Sequence, residues 1–393
     1  LSFITAWYGC MFRGLVPLPI ELPLSSSDTP PQQVGFLLSS CGITVALTSE
    51  ACLKGLPKST TGEIAKLKGW PRLQWFVTEH LPKPPKDFNV GNVRIEDSAT
   101  AYIEYTTDKE GSVMGVTVTR LAMMNHCRAL TMACHYTEGE TVVCVLDFKR
   151  EVGLWHAVLT SVLNGMHVLF IPYALMKLRP SSWMQLITKH RASCCLAKSR
   201  DLHWGLLATK DHKDITLSSL RMLLVADGAN PWSLSSCDQF LSVFSSKGLR
   251  SDAICPCASS SEVFTVSLRR PGRSASGFSQ SATGRGVLSM AALSHGVVRV
   301  DSEDSLTSLT LQDCGQVMPA AQMVVVRSEG IPVLCKTDQV GEICVTSGST
   351  GSSYFGLEGL TNTTFKVQPL PEDPEIIKDG SSVKPISGFL GPG

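Results

Sequence analysis

Residues 103–120, IEYTTDKEGSVMGVTVTR, gather hydroxyls, charges and glycines between two apolar runs. The first run ends at Tyr105, a polar loop follows, and Val116–Val118 resumes a strand-like pattern. A hydroxyl-rich loop between two strands presents backbone N–H groups and side-chain oxygens, which is what a phosphate needs. Asp108 and Glu110, however, put negative charge where a phosphate would sit, and Met114 stands where a cation would help. The segment reads as a nucleotide-binding plan with an altered phosphate loop; a surface loop without a ligand is the plainer reading of the same residues.

Three further segments carry candidate chemistry. ICPCASSSEVF (254–264) contains Glu262, a hard oxygen ligand of the kind Mg²⁺ takes. VADGANP (225–231) follows an apolar run and precedes a helical pattern, and its glycine would let backbone approach a flat base. LDFKREVGLW (146–155) places a glycine at the head of a helix. Taken singly, a lone glutamate is more often a solvated surface charge, the second segment is also a plain strand-to-helix turn capped by Ser233, and a glycine starting a helix is ordinary structure. Other chemistries fit worse. A nucleophilic serine would need G-x-S-x-G after a strand, and SGSTG (347–351) lies in a β-rich stretch with no helix after it. His126, Cys127, Cys134 and His135 share one helical stretch and are expected to be core thiols and surface imidazoles rather than zinc ligands. The G-x-G-x-x-G of a dinucleotide fold is missing.

The elements that must position these residues alternate. Strands are expected at Ile43–Leu47, Trp75–Val77, Ala101–Tyr105, Val142–Leu146, Val168–Ile171, Leu220–Val225, Gly296–Val300, Met323–Val326 and Glu342–Val345. Helices are expected at Pro31–Cys41, Arg120–Ala133, Gly153–Leu163, Ser181–Arg191, Arg200–Ala208 and Ser233–Ser246. This implies α/β architecture with largely parallel sheets. Residues 269–286 are rich in Ser, Gly and Arg and read as an insertion, and 370–385 read as loop. The composition changes after about residue 267 and suggests a smaller β-rich subdomain (294–393); the α/β part before it is expected to hold a first subdomain (1–150) and a second (151–293).

With 35 Lys+Arg against 34 Asp+Glu, the balanced charge argues against a nucleic-acid binder, which would show a basic excess. The fourteen cysteines follow no disulfide spacing and are expected to be free thiols of a reducing, cytoplasmic setting. The sequon Asn362-Thr363-Thr364 is then a chance match. Leu154–Met176 lacks Lys, Arg, Asp and Glu, but Asn164-Gly165 and Pro172 split it. It reads as a buried helix, a stop and a buried strand, not a transmembrane span. The chain opens mid-pattern without Met and reads as a fragment.

These motifs resemble the adenylate-forming, AMP-binding superfamily of acyl-CoA synthetases and fatty-acyl-AMP ligases. The resemblance covers essentially the whole chain and is closest to the first fatty-acyl-AMP-ligase-like domain of the Disco-interacting protein 2 family. The superfamily's phosphate loop runs Y-T-S-G-T-T-G-x-P-K-G; Tyr105, Thr106, Thr107 and Gly115 keep its frame, while Asp108, Val113 and Met114 replace a glycine, the proline and the lysine. Lys109 offsets little of that loss. Gly153 and Leu154 match the ligase motif L-P-x-Y-H-D-M-G-L, with Arg150 and Glu151 in place of His and Asp. Gly228 and Ala229 match the G-A-E-P turn beside adenine. Pro256, Cys257 and Glu262 match P-C-Y-G-x-x-E, with Ala258 and Ser259 in place of its Tyr and Gly. DCGQVMP (313–319), VGEICV (340–345) and TNTTF (361–365) match blocks that build the β-subdomain, and Phe389 stands where the ribose-binding aspartate belongs.

The resemblance implies a large N-terminal domain of two α/β/α subdomains and a distorted β-barrel, with the small C-terminal domain absent from this chain. It implies activation of a fatty or other carboxylic acid by ATP and Mg²⁺ to an acyl-adenylate, in lipid metabolism. Thr106, Thr107, Gly115, Gly228, Ala229 and Ser259 would hold the nucleotide. Glu262 would be catalytic through Mg²⁺, and Gly153, Leu154 and Cys195 would line the acyl pocket. Contacts with flanking domains would complete the enzyme, leaving the isolated fragment inactive. The altered loop keeps a second reading open: a degenerate, non-catalytic module that binds lipid or nucleotide, or a scaffold.

Overall fold

The computed structural model describes residues 2–21, 31–60, 64, 67–89, 91, 93–108, 110–208, 213–227, 234–272 and 285–371. The chain divides into two compact units, one of residues 1–124 with 350–363 and one of 125–349 with 364–392.

In the first unit, α1 (Ser2–Phe12) buries Trp7 and Met11, and the Trp7 ring lies 5.1 Å from that of Tyr102. Helix α2 (Pro31–Ser40) buries Val34, Leu37 and Leu38. Strand β1 (Val45–Thr48) runs parallel to β2 (Gln74–Val77). The short α3 (Glu50–Gly55) is capped by Ser49, whose hydroxyl accepts the Cys52 N–H. Strands β3 (Thr100–Thr107) and β4 (Val113–Thr119) form an antiparallel hairpin, with Ser353–Tyr354 added on the far edge of β4. Helix α4 (Arg120–Cys134) follows.

The second unit is organised on seven strands. Five are parallel neighbours: β5 (Thr141–Cys144), β6 (His167–Phe170), β7 (Cys194–Ala197), β8 (Met222–Val225) and β9 (Ile254–Ser260), in the spatial order β6-β5-β7-β8-β9. Strand β10 (Phe264–Leu268) turns back antiparallel on β9, and Gln316–Val317 closes that edge. CCLA and MLLV, the central strands, are buried along their whole length, as expected of parallel strands covered on both faces. Val143, Cys195, Leu223 and Val225 pack with Trp183, Met184 and Ile187 of α8 (Ser182–His190) and with Phe240 and Phe244 into one core. Each such large side chain contributes about 1.5–3 kcal/mol by leaving water.

Most expected strands and helices lie within two or three residues of those observed. The apolar run 154–176 is a helix, an Asn164 stop, Gly165 at φ +62° and then β6. No helix among the described residues is long and apolar enough to cross a membrane. Strand β6 is an edge strand and only half-buried. The helix expected at Gly153–Leu163 begins as α5 (Glu151–Leu154), widens to a π-turn over Trp155–Thr160 and ends as α6 (Ser161–Leu163). There the Ser161 N–H reaches back five residues to the His156 carbonyl. Gly296–Val300 is not a strand; it makes isolated bridges to Gln339 and Leu288. The β9–β10 hairpin has no clear polar–apolar alternation, because Ser, Thr and Cys fill it. Arg285 and Gly286, read as the end of an insertion, belong to a strand (Arg285–Ser289) paired with Ser308–Gln312. Residues 273–284, and those from 372 onward including Phe389, lie outside the described residues.

Candidate functional site

All five parallel strands of the second unit point their carboxyl ends the same way, so the segments that leave them share one edge. In open α/β sheets that edge holds ligands, at the point where successive connections diverge to opposite sides. Here the divergence lies between β5 and β7, because β6 flanks β5 on one side and β7 on the other. Residues 145–150 leave β5, Lys198 leaves β7, Ala226 and Asp227 leave β8, and Ser261–Val263 leave β9.

The β5 exit shows why residue 153 is a glycine. A Cβ there would overlap the Asp147 carbonyl oxygen, so the loop closes directly onto the helix it precedes. The Asp147 carboxylate accepts the Lys149 N–H at 3.1 Å and lies 3.7 Å from that residue's ammonium. Glu151 adopts φ +47°, an uncommon left-handed conformation for a non-glycine, with Arg150 donating to its carboxylate at 3.1 Å. At the β7 exit, Asp201 accepts the Lys198 N–H at 2.9 Å; burial pushes its carboxyl pKa up. Asp227 accepts the Ser199 N–H at 3.0 Å and so ties the β8 exit to α9 (Ser199–Leu207). Gly228 and Ala229 lie outside the described residues.

Glu262 occupies the turn between β9 and β10 and is buried, with Phe264 two residues on at φ +59°. Ser259 is buried on β9 opposite Thr265. Leu154 and Cys195 are fully buried core side chains. Behind the hairpin lie two histidines. His126 is buried, with Nε2 3.2 Å from the Thr265 hydroxyl and its ring packed 5.1 Å from Trp155 and 5.0 Å from Phe264. Desolvation, then His156, pushes its pKa down to about 3. The expectation of a surface imidazole at 126 is thus corrected: on a helix face turned inward, His126 belongs to the aromatic core. His156 is likewise pushed to about 3 by burial, with Nδ1 2.7 Å from the Tyr136 hydroxyl. Both imidazoles are neutral at physiological pH and supply no cation.

In the first unit the candidate phosphate loop is a hairpin end. Thr106 faces Met114 and Thr107 faces Val113 across the ladder, and Gly115 pairs with Tyr105. Thr107 is exposed and Thr106 half-buried. Gly115 has a packing reason, since a Cβ there would press on Ile103 and Leu37. The Asp108 carboxylate accepts the Ser112 N–H at 2.7 Å, and the Asp108 N–H donates to the Ser112 carbonyl at 3.0 Å. Met114 is buried.

The sequence model of the AMP-binding enzyme family matches residues 1–251. The chain belongs to the AMP-binding enzyme family. Within it, the chain is 88% identical over 409 residues to Disco-interacting protein 2 of Drosophila melanogaster, and 53% identical over 396 residues to Disco-interacting protein 2 homolog B of Homo sapiens. Each match covers all of this chain but only 23% and 25% of the relative, so the chain spans about a quarter of their length. The mixed α/β fold is that of adenylate-forming N-terminal domains. It superposes on a fatty acyl-adenylate ligase from L. pneumophila, solved with acyl adenylate and pyrophosphate, with a TM-score of 0.80. That match has 19% identity and covers 100% of this chain and 63% of the other.

Proposed function

We propose that this AMP-binding domain forms an acyl-adenylate, as part of a longer fatty-acyl-AMP-ligase-like protein. A fatty or other acyl carboxylate attacks the α-phosphorus of ATP, the bond to the β-phosphate oxygen breaks, and pyrophosphate leaves with its electron pair. Such a reaction depends on positioning and charge neutralisation. The observation that carries the reading is Glu262, a carboxylate fixed in the turn at the carboxyl edge of the parallel strands. Among the described residues no group of three or more His, Cys, Asp and Glu gathers to hold a metal. One carboxylate is nevertheless enough for Mg²⁺ when substrate phosphates supply further oxygens. Thr106 and Thr107 would offer hydroxyls to phosphate, with Gly115 holding their hairpin together and Ser259 lending a hydroxyl beside the nucleotide. Glu262 would hold Mg²⁺, and a cation there would supply charge neutralisation for the departing pyrophosphate. An acyl chain reaching Gly153, Leu154 and Cys195 would have to displace packed core side chains. Free thiols at all fourteen cysteines support an intracellular setting for this chemistry.

One observation favours a second reading, a domain that keeps the fold and has lost the chemistry. The Asp108 carboxylate already takes the Ser112 N–H that a phosphate would use. The two readings separate in a pyrophosphate-release assay on the full-length protein with ATP, Mg²⁺ and a series of fatty acids. Release that falls by about a hundredfold or more in Glu262→Ala, at unchanged melting temperature, is the expected result. Equal release by the variant removes the assignment of Glu262, and no release by the wild type removes the enzymatic reading.

A further inference from the structure

On the surface of the second unit, α7 (Tyr173–Leu178) and α9 shape a groove of about 310 Å³, lined by Tyr173, Met176, Lys177, Pro180, Trp204 and Leu207. Its composition is unusual for a surface of a chain with balanced charge. The Tyr173 and Trp204 rings lie 6.2 Å apart. The Arg200 guanidinium sits 5.4 Å from the first ring and 5.0 Å from the second, and the Lys177 ammonium 5.0 Å from Tyr173. Arg200 forms an ion pair with the buried Asp201 carboxylate, Nε to Oδ1 3.8 Å, which offsets part of its charge. Cation–π attraction holds both cations over the rings, Arg200 partly balanced by Asp201 and half-exposed, and Lys177 with no ion pair among the described residues. The apolar parts are open as well: Tyr173 is 47% exposed, Leu207 68% and Leu178 81%.

From this geometry we infer that the groove is a docking site for an extended, proline-containing acidic segment of a partner protein. A shallow trough lined by tyrosine, tryptophan and proline fits the ridge of a polyproline-II segment, which arrives already ordered and with few hydrogen bonds to satisfy. The two fixed cations at its rim are complementary to aspartate or glutamate beside the prolines and would set the segment's register. The volume suits a few side chains and not a folded domain. A membrane fits less well: the surface is concave, and its two helices are too short to present a continuous amphipathic face.

The test uses the full-length protein and two short fluorescein-labelled peptides, one with Pro-Pro steps flanked by glutamates and one with lysine at every glutamate. Fluorescence anisotropy is expected to show saturable binding of the acidic peptide, about tenfold or more tighter than the basic one. The double variant Lys177→Glu, Arg200→Glu should weaken the acidic peptide by at least the same factor, with the melting temperature showing that the fold persists. The peptide pair on wild-type protein decides the matter even if the variant does not fold. Equal binding of both peptides, no saturable binding, or acidic-peptide binding untouched by the double variant would overturn the proposal. So would groove-dependent sedimentation with phosphatidylserine vesicles in the absence of peptide binding.

Discussion

The hairpin of the first unit and the carboxyl edge of the second hold the two sets of candidate nucleotide residues, and they differ in how their hydrogen bonds are arranged. In the hairpin, backbone N–H groups that could serve a phosphate are consumed internally, that of Ser112 by the Asp108 carboxylate and those of Asp108 and Gly111 by loop carbonyls. At the sheet edge the residues are held from behind: Gly153 by the Asp147 backbone, and Glu262 by the turn between two buried strands. A loop that satisfies itself is stable without ligand and has little reason to bind one, since each donor must first give up a partner. A residue positioned by the fold keeps its place whether or not ligand comes.

The sharpest way to break this comparison is at Gly153. If the edge is positioned by packing, Gly153→Ala must move the Asp147 carbonyl or the head of α5, because the added methyl has nowhere to go. We expect a loss of about 3 kcal/mol, at the upper end of overpacking costs, read by urea unfolding. A loss below about 0.5 kcal/mol, within the range of a neutral substitution, would show that the loop yields and that the edge is no better fixed than the hairpin.

The opposite end of the same strands gives the next effect. Arg221 donates to both oxygens of Glu140 at 2.6 and 2.7 Å and to the carbonyls of Cys134 and His135, so it fastens the start of β8 to the start of β5. Desolvation alone would raise the Glu140 pKa; hydrogen bonds from Arg221 and the Thr137 N–H more than reverse it, and the net shift is downward. With a folded pKa below the unfolded one, the pair's contribution is complete above the unfolded value, about pH 4. It is lost as pH falls through the folded value. Glu140→Gln should cost about 2 kcal/mol at neutral pH, as charged hydrogen bonds of this kind do. The gap from wild type should narrow under acid. A gap independent of pH would mean that the substitution acts through packing and not through the ion pair.

How much of this was readable in the sequence depended on what kind of signal a residue leaves. The parallel strands announced themselves as short apolar runs, and the stop at Asn164-Gly165 correctly split an uncharged stretch of membrane length. Glu262 was singled out as a candidate because Pro256 and Cys257, upstream of it, fall in a known frame, although the hairpin around it shows no clear alternation to mark it as strand. The burial of His126 was not readable, because histidine is polar in any one-dimensional pattern and only the inward turn of α4 decides its surroundings. The π-turn at Trp155–Thr160 was invisible for a similar reason: every residue in it is buried, so no face of the helix is marked by polarity. Nor does sequence show that Asp108 turns its charge on its own loop; spacing gives the carboxylate, and only the hairpin closure supplies its partner.

That last point yields the smallest and most specific prediction. If the hairpin has been withdrawn from phosphate by Asp108 and by the lack of a cation at Met114, both changes are reversible in principle. Asp108→Ser removes the charge and frees the Ser112 N–H, and a serine hydroxyl can still cap the turn in part. Met114→Lys adds the cation, at the cost of bringing an ammonium to a buried position. The double variant should therefore gain less than two free charges would, about tenfold in ATP affinity, equivalent to about 1.4 kcal/mol. Isothermal titration of the full-length protein with ATP–Mg²⁺ measures it, and Asp108→Ser alone should give the larger share. Unchanged affinity in a folded double variant would mean that the hairpin takes no part in nucleotide binding. Whatever ATP the protein binds would then have to be held by the carboxyl edge of the second unit, and the two regions would differ in function as well as in hydrogen bonding.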